Sequence, residues 1–101
     1  MRRQEIRALV ESIGDAAFAV DHAGLVIAWN AACATLFGKA AASAVGQPCA
    51  SIVRGADECG AVCGDQCCVL RAVEQRRPIR NFDLRAETRL GRRWCNVSVL
   101  R

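Results

Sequence analysis

The chain has 101 residues, 52% of them hydrophobic and 24% charged, with a net charge of +4 and a mean hydropathy of +0.13. This length holds one domain and one core, and the composition excludes a disordered or membrane-embedded chain. No apolar run approaches the ~20 residues of a membrane span, and Met1-Arg2-Arg3-Gln4-Glu5 does not begin a signal peptide, so a cytoplasmic location away from membranes is the expectation.

Residues 2–13 are predicted to form an amphipathic helix, because Ile6, Leu9, Val10 and Ile13 recur at three- and four-residue spacing, and Gly14 is expected to close it. Ala16 to Val20 and Leu25 to Trp29 alternate as half-buried strands. Phe18 and Val20 share one face of the first, and Leu25, Ile27 and Trp29 share one face of the second. Asp21-His22-Ala23-Gly24 connects them as a short hairpin turn. Asn30 is a natural N-cap for a helix that Gly38 ends. Two shorter helical pieces follow over 39–45 and 49–53, separated by Gly46-Gln47-Pro48.

The glycine- and cysteine-bearing stretch 55–64 is expected to be a loop, with Asp65 capping a helix over 66–76 whose Val69, Leu70 and Val73 face inward. Ile79 to Glu87 and Arg92 to Leu100 alternate as a second pair of strands, with Phe82, Leu84 and Ala86 on one face and Cys95, Val97 and Val99 on the other strand's matching face, joined at Arg89-Leu90-Gly91. The order is helix, two strands, short helices, a longer helix and two strands. It calls for an α+β fold: an antiparallel sheet flanked by helices.

This order resembles the PAS family. The likeness rests on Ala17-Phe18-Ala19-Val20-Asp21-His22-Ala23-Gly24-Leu25-Val26-Ile27-Ala28-Trp29-Asn30, then Leu36-Phe37-Gly38 and Val45-Gly46. Residues 46–70 resemble a narrower set with a Cys-rich insert, found in bacterial LuxR-type regulators, enhancer-binding activators and sensor kinases. The resemblance implies a PAS-like antiparallel sheet of strand order 2-1-5-4-3, with the fifth strand missing or trimmed here, a helix over 1–14 and a PAS core over 15–101. It also implies a sensory module of a bacterial signal-transduction protein, a transcription regulator, joined to an output domain.

Seven cysteines in a cytosolic chain point to free thiols, metal ligation or redox chemistry rather than a disulfide framework. Cys49, Cys59, Cys63, Cys67 and Cys68 form the densest cluster. Zinc or an iron–sulfur cluster, a reversible disulfide, or plain packing of small thiols would each account for it, and the Cys-x-x-x-Cys spacing differs from the Cys-x-x-Cys of a zinc knuckle. No cofactor is expected on the main reading. The surroundings of Cys49 lack the Arg, Asn and Gln of the flavin-linking motif of light-sensing relatives, and the single histidine, His22, falls in a turn, unsuited to a haem.

A candidate ligand pocket for a small apolar molecule lies between sheet and helices, lined by Phe18, Val20, Ile27, Leu36, Ile52, Leu70, Phe82, Leu84, Cys95 and Val97, or else that space is filled core. The helix bearing Ile6, Leu9, Val10 and Ile13 is expected either to pair with its mate in a homodimer or to cover its own sheet. No nucleophile, base and orienter set is present, so catalysis is not expected. The fourteen basic residues are dispersed, so this segment is not expected to bind DNA directly.

Overall fold

A computed structural model of the chain describes residues 2–56, 68–76, 78–79 and 81–98. In chain order the elements are α1 (Arg3–Ser12), β1 (Phe18–Val20), β2 (Val26–Trp29), α2 (Ala31–Phe37), α3 (Ala41–Ala44), α4 (Cys49–Val53), α5 (Cys68–Glu74), β3 (Phe82–Thr88) and β4 (Gly91–Val97). This is the expected α+β sequence of elements. Asp65 and Gln66, expected to open the longer helix, lie outside the described residues, as do Val99 and Leu100 of the last expected strand. Among the described residues the strands form two antiparallel pairs, β1 with β2 and β3 with β4. Those are the outer pairings of the 2-1-5-4-3 order, with no strand joining them among the described residues.

The first pair departs from simple alternation. Phe18 sits opposite Trp29 and Ala19 opposite Ala28, but Val20 sits opposite Val26, so Ile27 is an extra residue on β2. A bulge of this kind reverses the facing of everything beyond it. Trp29 and Val26 therefore join one core with Cys33, Ala44 and Ile52, and Val20, Phe37 and Cys49 pack around it. The expected grouping of Leu25, Ile27 and Trp29 on one face is thereby corrected. Ala28 turns to the opposite side and is buried where α1 crosses the strand.

The free edge of β2 is closed by the α3–α4 connection. The Gly46 amide donates to Val26 O at 2.8 Å, the Val26 amide to Gln47 O at 2.9 Å and the Cys49 amide to Gly24 O at 2.9 Å. These bonds remove a row of unpaired backbone groups from the surface and hold Cys49 beside the hairpin turn.

α1 ends earlier than Gly14. Ile13 is already extended, at φ −82° and ψ 130°, so the chain leaves the helix before the glycine is reached. α5 buries Ala72 and leaves Val73 40% exposed, a rotation away from the inward set expected for it. Its Leu70 meets the β1–β2 turn: a Cβ on Gly24 would lie 3.2 Å from Leu70 Cδ1, and Gly24 itself takes φ +85°. Only glycine meets both demands cheaply.

Candidate functional site

Asn30, at the junction of β2 and α2, is the most connected side chain among the described residues. Its Oδ1 accepts from the amides of Cys33 (2.9 Å) and Ala17 (3.1 Å). Its Nδ2 donates to the carbonyls of Val10 (3.2 Å), Ile13 (3.1 Å) and Asp15 (2.8 Å). The sequence identifies only the first of these, the cap of α2. The other partners lie at the C-terminal end of α1 and in the segment between α1 and β1, so a buried amide ties α1 to the start of α2.

Cys33, in the first turn of α2, is fully buried, and its Sγ donates to Ala17 O at 3.2 Å. Burial pushes its thiol up to about 11, so it stays protonated at neutral pH. Sequence reasoning passed over this cysteine because it stands outside the cluster. The available signal was its place one turn before Phe37 on the apolar side of α2.

The interior of the β1–β2 half is filled by Trp29. Its ring lies 5.5 Å from that of Phe18 and 5.3 Å from that of Phe37, and its indole N–H donates to Lys39 O at 2.9 Å. An aromatic with its one polar atom satisfied is a core residue. Ile52, assigned to the pocket from the sequence, also belongs to this core.

The other proposed lining residues behave differently. Val20, Ile27, Leu36, Leu70, Phe82, Leu84, Cys95 and Val97 are all half-buried, and Phe18 is 36% exposed. On β3, Phe82 and Leu84 alternate with exposed Asp83 and Arg85, and on β4 their partners Val97 and Cys95 alternate with exposed Trp94 and Asn96. This apolar side faces the helices but is only partly covered by them. At its upper end Gly55 closes against the sheet, where a Cβ would lie 2.5 Å from Leu84 Cδ2. Ala56 then pairs with β3, exchanging amide–carbonyl bonds with Arg85 at 3.0 and 2.7 Å. Arg54, in the left-handed region at φ 48°, places its guanidinium 3.4 Å from the Glu87 carboxylate.

Of the cysteines the sequence groups as ligands, Cys59, Cys63 and Cys67 lie outside the described residues, as does the side chain of Cys68. Cys49 is half-buried at the edge of the core. Among the described residues Cys33 and Cys95 are free thiols, and no three ligating side chains meet. His22 is exposed in the β1–β2 turn. Beside it, the Leu25 amide chiefly, helped by the Ala23 amide and the charges of His22 and Arg3, holds the Asp21 carboxyl below its usual range against partial desolvation.

α1 divides its apolar stripe. Val10 is buried and Ile6 half-buried against the β1–β2 pair, whereas Leu9 and Ile13 are 48% and 37% exposed. On its other flank a groove of about 410 Å³ opens toward α3, with Arg7 and Glu11 on one wall and Ala41, Ala42 and Val45 on the other.

Two antiparallel strand pairs with a helical flank, a capped strand–helix junction and an incompletely covered inner face define a small α+β module. The model of the PAS fold matches residues 4–100, and the chain belongs to that family, whose role is sensing and signalling. No curated protein and no solved structure matches the chain significantly. No helix among the described residues is long and apolar enough to cross a membrane.

Proposed function

We propose that this chain is the sensory module of a bacterial signal-transduction protein, a transcription regulator, which takes up a small apolar ligand on the inner face of β3–β4 and relays its occupancy through self-association to an output domain. The observation that carries the reading is the contrast between the two halves of the molecule. The β1–β2 half is closed around Trp29, whereas Phe82, Leu84, Cys95 and Val97 face inward yet remain half-exposed. Apolar surface that faces inward and is only partly covered can take up an apolar ligand. The relay has a physical route, since α2 borders both the inner face and Asn30, and Asn30 holds the end of α1.

The test is native mass spectrometry and calorimetry of the chain with a series of small apolar molecules, alongside Leu84→Trp, which fills the space. Binding to the unaltered chain that Leu84→Trp abolishes supports the reading; equal binding by both contradicts it. The regulator context rests on the resemblance of residues 46–70 alone. A metal or iron–sulfur centre on Cys49, Cys59, Cys63, Cys67 and Cys68 is an alternative that no described arrangement favours, and metal analysis of anaerobically purified protein decides it.

A further inference from the structure

The closure of the β2 edge by Gly46 and Gln47 reaches Val26 and stops there. Further along, the Asn30 amide donates to Ala17 O at 3.2 Å, which makes Ala17 and Asn30 the hydrogen-bonded kind of pair and their neighbours, Phe18 and Trp29, the other kind. Trp29 therefore turns its amide and its carbonyl away from β1, and no group among the described residues bonds to either. One strand residue is left with both backbone groups open beneath the groove between α1 and α3, which it helps to line.

Two charges stand beside it. Arg7 and Glu11 line the α1 wall, roughly 6 Å apart along the helix axis, and neither pairs with the other or with any described residue. α1 and β2 run in the same direction, because Arg3 meets Asp21 at 3.8 Å ahead of β2 and Val10 meets Asn30 just after it. Arg7 therefore lies toward the amide side of Trp29 and Glu11 toward its carbonyl side.

We infer that this groove binds a free α-amino acid with an aliphatic side chain, seated as a one-residue strand partner of Trp29. A residue paired in the antiparallel manner gives its nitrogen to its partner's carbonyl and accepts its partner's amide on its own carbonyl oxygen. In a free amino acid those two groups are an ammonium and a carboxylate. The carboxylate meets the Trp29 amide on the side where Arg7 supplies a guanidinium, and the ammonium meets the Trp29 carbonyl on the side where Glu11 supplies a carboxylate. Were α1 to run the other way, each ligand charge would meet its like. A peptide bond at either end of the ligand would remove one of the two charges, so the arrangement favours the free amino acid over a peptide. The far wall, Ala41, Ala42 and a 40% exposed Val45, carries no charge and suits an aliphatic side chain. A volume of about 410 Å³ is within the range of small-ligand sites. This site is separate from the inner face of β3–β4 and does not depend on a ligand there.

The experiment is a methyl-resolved NMR titration of the full chain with L-leucine, with circular dichroism to confirm that each variant folds. Saturable shifts at the methyls of Ala41, Ala42 and Val45 are expected, with a Kd on the order of 1 mM. N-acetyl-leucine, which lacks the ammonium, and leucinamide, which lacks the carboxylate, would each bind about tenfold more weakly. Arg7→Gln would weaken leucine by a similar factor and leave leucinamide unchanged, and Glu11→Gln would do the same with N-acetyl-leucine as the unaffected ligand. Leu84→Trp, which fills the inner face, would leave leucine binding intact. Shifts absent or unsaturable at these three residues overturn the inference, as does binding of leucine that neither Arg7→Gln nor Glu11→Gln weakens. Leucine binding lost in Leu84→Trp but kept in Arg7→Gln and Glu11→Gln overturns this site while the reading of the inner face stands.

Discussion

The side-chain amide of Asn30 donates to the carbonyl of Val10, twenty residues earlier in the chain, at 3.2 Å. Val10 is at once the buried anchor of α1 on the β1–β2 pair. One bond thus joins a helix's packing contact to the cap of the next helix, and the two cannot move independently.

Asn30→Ala would leave the amides of Ala17 and Cys33 and the carbonyls of Val10, Ile13 and Asp15 without this partner. The expected cost is about 3 kcal/mol or more, seen as a fall in Tm of ~12 °C or more. Asn30→Asp separates the roles. It keeps the acceptor for α2 but sets a carboxylate against the carbonyls, so α1 amides should exchange with solvent much faster while α2 stays protected. Equal protection of α1 in both proteins would contradict the tie.

Asp21 has a lowered pKa in the folded chain, so it contributes stability above the ordinary carboxyl value of 3.8 and loses it as pH falls through the folded value. Asp21→Ala is expected to flatten the pH dependence of stability in that acid window and to loosen the β1–β2 turn. Urea midpoints between neutral pH and pH 3 check this, and parallel curves for the two proteins would refute it.

Cys33 titrates in the opposite direction. Its thiol rises from 9.0 to about 11 on folding, so its contribution is full below pH 9 and is lost as pH climbs toward 11. Cys33→Ala should remove part of the alkaline destabilisation. In the native chain Cys33 should resist alkylation at neutral pH while the half-buried Cys95 reacts first, as mapped by mass spectrometry.

Gly55→Ala would put a methyl 2.5 Å from Leu84 Cδ2 without demanding an unusual φ. The expected loss is about 1–3 kcal/mol of overpacking. In Gly55→Ala/Leu84→Ala the clash is gone, so the double variant should be less destabilised than the sum of the single ones, a coupling that denaturant titration reads directly.

Local chemistry was legible in the sequence. The Asp21 carboxylate accepts from Ala23 and Leu25 amides at 2.9 and 3.0 Å, and Gly38 ends α2 in the left-handed region, because turns and caps are decided within a few residues. The inward set Phe82, Leu84 and Ala86 was legible for the same reason. The bulge at Ile27 was not, since an extra residue leaves no mark in an alternating pattern until its partner strand is placed. Nor were the three carbonyls bound by Asn30, which approach only after α1 has folded back onto the strands. Of the residues expected to line a pocket, hydrophobic alternation marked those that share a face, but only packing showed that Ile52 belongs to the closed core and that Leu84, Cys95 and Val97 do not.

Methyl-resolved NMR of the chain under xenon, a small apolar probe, tests the proposed uptake of a ligand at the inner face most directly. Saturable shifts concentrated at the methyls of Leu84, Val97, Leu36 and Leu70, with Leu9 and the exposed Leu90 unmoved, are the result predicted. Shifts absent throughout, or no larger at the inner face than at Leu9 and Leu90, would contradict it.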